Sequence, residues 1–117
     1  MEEIRILVVL GEGAGGGRAV DLACRLGRDR HAVIHCVEAT GRTQGRDHAA
    51  REVRRHSLRV QLPDGLVDGP RAMLRLVRRI KPVVLILAIP RRPGWRWLPT
   101  LWTSLRRVPC EVIVSRE

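Results

Sequence analysis

Hydrophobic residues along the chain fall into short unbroken blocks, separated by longer stretches in which they recur with helical spacing. The strongest block is Val83 to Ile89, seven apolar residues in a row bounded by Pro82 and Pro90. It is too short to span a bilayer and shows no alternation with polar residues. A run rich in Val, Ile and Leu, stopped on each side by proline, predicts a strand buried on both faces. Such a strand needs helices above and below it. Leu66 to Ile80 predicts one, with Leu66, Met73, Leu76, Val77 and Ile80 as its apolar stripe, Pro70 in its first turn and Asp64 or Asp68 as its cap. Trp97 to Val108 predicts another, with Trp97, Leu98, Leu101, Trp102, Leu105 and Val108 repeating at helical spacing.

The remaining blocks extend the pattern in both directions. Ile4 to Leu10 predicts a first strand, followed by a glycine-rich turn from Gly11 to Gly17. Arg18 to Arg28 predicts a helix that buries Ala19, Val20, Ala23, Leu26 and Gly27. Ala32 to Val37 predicts a second strand, and His48 to Arg55 a short helix after a polar loop. Ser57 to Leu62 alternates apolar and polar positions, which predicts a strand near the sheet edge. Val112 to Val114 predicts the last strand. The order β-α-β-α-β-α-β-α-β predicts an α/β fold, a doubly wound five-stranded parallel sheet with helices on both faces, Rossmann-like in its layering.

Composition limits this architecture to one domain, residues 1–117. With no Phe or Tyr, the core is expected to be aliphatic. The net charge of +10 comes from 21 Arg and one Lys against 12 acids. Arginine occurs on every predicted helix, which reads as solvated surface, and net charge by itself speaks to non-specific association. Only Arg91, Arg92 and Arg96 cluster with aromatic residues, Trp95 and Trp97. Cys24, Cys36 and Cys110 are odd in number and lack CxxC spacing, so they read as reduced, packed thiols. The four His residues show no paired ligand spacing with them, and no metal is expected. No nucleophile–base constellation is visible, so no catalytic residue is expected and the chain does not read as an enzyme. The opening Met1-Glu-Glu-Ile-Arg shows no signal-peptide pattern and no transmembrane run follows, which implies a cytoplasmic protein without membrane association.

In a doubly wound sheet, ligands bind beyond the carboxyl ends of the central strands. The positions falling there are Gly11, Glu12 and Gly13 after the first strand, Val37 ending the second, and Arg91, Arg92, Gly94 and Arg96 after the fourth. These are the candidate anion or nucleotide site. Arginine supplies bidentate phosphate contacts, and Trp95 a stacking face. The glycine loop lacks a full GxGxxG and is a weak cofactor signal.

Three stretches carry a family resemblance. Arg5-Ile-Leu-Val-Val-Leu, a small-residue loop and Arg18-Ala-Val-Asp-Leu-Ala open the chain. Ala23-Cys-Arg-Leu-Gly leads into Ala32-Val-Ile-His-Cys-Val. Leu105-Arg-Arg-Val-Pro-Cys-Glu-Val-Ile-Val114 closes it. Taken in order, these resemble the universal stress protein family over nearly the whole chain. The resemblance implies five parallel strands, a regulatory or protective role in stress, and homodimers joined by their last strands, here Val112 to Val114. Many members of that family bind ATP through an acidic residue ending the first strand and a Gly-x2-Gly-x9-Gly-Ser/Thr loop after the fourth. Here Gly11 stands at the acidic position, Gly94 is the one glycine of the later loop, and Leu98-Pro99 replaces the Gly-Ser pair. Pro90, Pro93 and Pro99 have no N–H to offer a phosphate. The expectation is therefore no cofactor, with ATP or another nucleotide not held in the family's usual way. The alternative is a binding module for an anionic ligand, nucleotide or nucleic acid, through the basic loop 91–97.

Overall fold

The computed structural model describes residues 3–11, 16–39, 44–63, 67, 69–90 and 98–117. Its elements run β1 (Arg5–Leu10), α1 (Gly17–Gly27), β2 (Val33–Glu38), α2 (Gln44–Arg55), β3 (Arg59–Gln61), α3 (Pro70–Ile80), β4 (Val84–Ile89), α4 (Leu98–Leu105) and β5 (Glu111–Arg116). A 3₁₀ turn at Arg28–Arg30 follows α1. The five strands form one parallel sheet in the order β3-β2-β1-β4-β5. This is the doubly wound sheet the hydrophobic pattern predicts.

β4 is central because it pairs on both sides, with β1 through Leu85↔Leu7 and with β5 through Leu85↔Val112. Every residue from Val84 to Ile89 is buried. Strand alternation sends Val84, Ile86 and Ala88 toward α1 and α2, where they meet Ala19, Val20, Ala23, Cys24, Ala49 and Val53. Leu85, Leu87 and Ile89 face the other way, onto Met73, Leu76, Val77 and Ile80 of α3 and Leu101 of α4. The sheet thus carries two aliphatic cores, one under each pair of helices.

The structure moves several expected boundaries. α2 starts at Gln44, four residues before the predicted start. α3 starts at Pro70 with Gly69 as its N-cap residue and no side-chain cap, while Asp64 and Asp68 lie outside the described residues. Ser57 does not join β3; it sits in the left-handed region at φ 59° and turns the chain into the strand. Val83 precedes the first ladder pair of β4 and is 52% exposed. On α1 the buried face runs Ala19, Val20, Ala23, Cys24 and Gly27, so Cys24 takes the core position expected of Leu26, which is 41% exposed. Trp102, expected in the core, is exposed. α4 turns Leu101 inward, and the rotation of about 100° to the next residue carries Trp102 off that face.

Candidate functional site

β1 and β4 are sheet neighbours although they are the first and fourth strands of the chain. From β1 the chain enters α1 on one face, and from β4 it enters α4 on the other. The connections diverge there and open the switch-point crevice at the strands' carboxyl ends. Gly11 lies at its floor, buried, its N–H donating to Ala88 O at 2.8 Å. On the neighbouring strand Ala39 N–H donates to Leu10 O at 2.8 Å, continuing the ladder past β2. Val37 is buried on the α3 side of the sheet beside Val67. Gly11 and Val37 are therefore brought to the same end of adjacent strands. The other expected site residues, Glu12, Gly13, Arg91, Arg92, Gly94 and Arg96, lie outside the described residues, as do Trp95 and Trp97.

The entry to α1 is built by Gly16, which takes φ 80°. A side chain there would be strained, and its Cβ would overlap Leu10 Cδ2. Gly16 gives α1 no side-chain cap, so the helix begins with free N–H groups. One of them is taken by a residue the sequence pattern did not single out. Glu117 Oε1 accepts the Ala19 N–H at 3.1 Å. The same residue is anchored twice more. Its N–H donates to Ile89 O at 2.9 Å, and Ser115 Oγ donates to Oε2 at 3.4 Å. A carboxylate thus rests on the positive end of α1, the end of a helix that otherwise attracts anions. Ala19 and Glu117 are 98 positions apart, and no local pattern joins them.

A second depression, of about 220 Å³, lies between α1 and α2. His48 and Glu52 of α2 and His56 just past its end repeat at i, i+4 and i+8 and line it together with Asp21 of α1. That spacing is legible in the sequence, across the predicted helix His48 to Arg55 and the residue after it. The groups are already engaged: Asp21 with Arg25 at 2.9 Å, Glu52 with Arg55 at 3.1 Å, and His56 Nδ1 with Arg28 Nη2 at 3.2 Å. Among the described residues no three His, Cys, Asp or Glu side chains are arranged to hold a metal ion.

The remaining titratable groups are structural. Burial pushes the Cys36 thiol up to about 12 and also raises Cys24. Neither is poised as a nucleophile, since the thiolate is the reactive form. Cys110 is raised by burial as well, against a backbone hydrogen bond with Leu85 that works in the opposite direction. His35 is a buried residue of β2 whose Nε2 has no hydrogen-bond partner among the described residues. Burial lowers its pKa, and the nearby Arg5 guanidinium lowers it further.

No protein-family model matches the chain, and no curated protein matches it. Solved structures do. A universal stress protein from Archaeoglobus fulgidus superposes with a TM-score of 0.67 at 15% identity, covering 97% of this chain and 94% of that one. A universal stress protein in complex with cAMP gives 0.67 at 15%, covering 99% and 98%. A protein of the universal stress protein family from Burkholderia pseudomallei gives 0.64 at 20%, covering 94% and 93%. Each superposition spans more than nine-tenths of both chains, and the chain has the universal stress protein fold.

Proposed function

We propose that this chain is a non-catalytic, cytoplasmic, universal-stress-protein-like protein with a regulatory or protective role, and that it does not hold ATP in that family's usual way. Similarity of fold along the full chain supports the first part. The observation that carries the second is the Glu117 carboxylate on the Ala19 N–H, at the end of α1 that opens onto the crevice. A phosphate brought there would meet a resident negative charge. Gly11, the residue after β1, supplies no carboxylate for a ribose or adenine. One similar structure is a complex with cAMP, so ATP and cAMP are the two ligands to titrate. Calorimetry at physiological salt should show no saturable adenine-selective heat with either. Micromolar adenine-selective binding, about −8 kcal/mol, would overturn the reading in favour of the anionic-ligand alternative.

The assembly proposed is a homodimer through β5. This edge strand presents Val112, Ile113 and Val114, with Val114 41% exposed, whereas the opposite edge, β3, shows solvent Arg59 and Gln61. Between its exposed charged ends, Glu111 and Arg116, the middle of this edge is apolar, and such an edge invites pairing. Sedimentation should give a dimer at micromolar concentration and a monomer for Ile113→Lys. A wild-type monomer would defeat this part of the proposal alone.

A further inference from the structure

From residue 69 to residue 110 the chain contains no Asp or Glu. The fold converts that run into a surface, because α3 and α4 pack side by side over one face of the sheet. Arg71, Arg75 and Arg78 are exposed and lie at i, i+4 and i+7, so they form a row about 10 Å long down one side of α3. Lys81 continues past the helix end, and Arg106 and Arg107 are exposed just beyond α4. None of these six has an ion pair among the described residues. Trp102 is 51% exposed on α4, the helix packed beside α3 in the same layer. At the end of the row, Val77, Pro82 and Pro109 floor a groove of about 500 Å³ whose lip is Arg78 and Lys81.

We propose that this α3–α4 face binds single-stranded nucleic acid, with phosphates along the arginine row, a base in the groove floored by Val77, Pro82 and Pro109, and another stacked on Trp102. A nucleic-acid strand repeats one negative charge per nucleotide, which suits an evenly repeated row of cations. Arginine's planar fork suits phosphate, and its flat face also stacks on bases. An apolar floor beside two cations accepts an unstacked base and leaves its phosphate at the lip. Anionic membrane is the poorer fit, since insertion needs a broad apolar face, and Trp102 is the one large hydrophobic of α3 and α4 that is exposed among the described residues. The surface is separate from the switch-point crevice, so the proposal stands or falls independently of ATP binding.

The test is fluorescence anisotropy with a labelled single strand of about 20 nucleotides, as RNA and as DNA, over a range of salt. Replacing Arg71, Arg75 and Arg78 together by Glu should weaken binding at least about 30-fold and flatten the log K against log salt slope by about two. A control with the same charge change on the other helical layer, Arg18, Arg51 and Arg54 to Glu, should stay within about threefold of wild type. Trp102→Ala should lose about fivefold or more in affinity with the salt slope unchanged, because stacking releases no counterions. Circular dichroism melts confirm that each variant is folded. Equal losses from the two triple variants would overturn the proposal, as would dissociation constants above about 100 μM for both strands, weaker than ordinary non-specific binding. Tighter binding to phosphatidylserine vesicles or to polyglutamate than to either strand would also overturn it. The RNA and DNA arms identify which strand chemistry the face prefers.

Discussion

The two helical layers bury the same kind of core and treat charge in opposite ways. On the α1–α2 side, carboxylates are interleaved with arginines: Asp21 meets Arg25, Glu52 meets Arg55, and Asp47 lies 3.8 Å from Arg46. On the α3–α4 side there is no acid at all between residues 69 and 110. A single net charge of +10 hides this division. Read along the sequence, arginine on every helix suggests uniform solvated surface. Folded, the acids carried by α-helices, Asp21, Asp47 and Glu52, all stand on the α1–α2 layer, while α3 carries cations alone and α4 no acid. For long-range attraction the placement of the acids matters more than the number of arginines.

The comparison can first be attacked from beneath. If the layers differ only at their outer surfaces, the cores under them should be equally expensive to damage. Leu85 packs under α3 and α4, Ile86 under α1 and α2, and both are fully buried. Leu85→Ala and Ile86→Ala should each destabilise by about 2–5 kcal/mol in urea unfolding. A loss below about 1 kcal/mol at one site only would mean that the layer above it is loosely docked. The difference in charge would then be secondary to a difference in packing.

How much of this was legible in the sequence depends on the range of the interactions. β4 could be read because burial on both faces removes all polar alternation, and α3 because its apolar stripe is set by helix geometry alone. Val83, Leu26 and Trp102 were misplaced for one shared reason. Hydrophobicity marks a residue as suited to the core, while the width of a helix's buried face and the first ladder pair of a strand are decided by neighbours. The acid-free run was visible in the chain, but its meaning was not. Only the sheet order shows that α3 and α4 share a layer. The Glu117–Ala19 contact was beyond reach, since it joins the last strand's end to the first helix. Of the expected crevice residues, only Gly11 and Val37 are among those described.

A titratable group distinguishes the layers next. By strand alternation His35 faces the α3 side, where Leu7, its register partner, packs. Arg5 is close and donates to Ile80 O at the end of α3, and Glu3 joins Arg5 to Arg59 of β3. Burial first and Arg5 second hold the His35 pKa below its ordinary 6.5. In the window from that lowered value up to 6.5, the unfolded chain binds a proton that the folded chain refuses. Stability therefore falls as pH drops below 6.5, by at most about 1.4 kcal/mol per pH unit for one proton, and is independent of this group above it. His35→Val should flatten the fall in urea midpoint between pH 6.5 and the lowered value. An unchanged slope would show that the acid sensitivity belongs to other groups.

The smallest effect tests the charge comparison most directly. Asp21–Arg25 and Glu52–Arg55 are solvent-exposed pairs, with the arginine side chains 72% and 77% exposed. Asp21→Asn and Glu52→Gln should each cost no more than about 0.5 kcal/mol, and the cost should vanish in about 1 M salt. Together they unmask two arginines and raise the net charge by two without touching α3 or α4. If a row of cations beside an apolar groove is what holds a single strand, this double variant should bind it as wild type does, to within about threefold. The freed arginines stand on separate helices and form no such row. If instead affinity rises by as much as the α3 triple variant loses, bulk charge governs binding. The acids of α1 and α2 would then be the element that sets affinity, and the difference between the layers would lie in how many charges each leaves free.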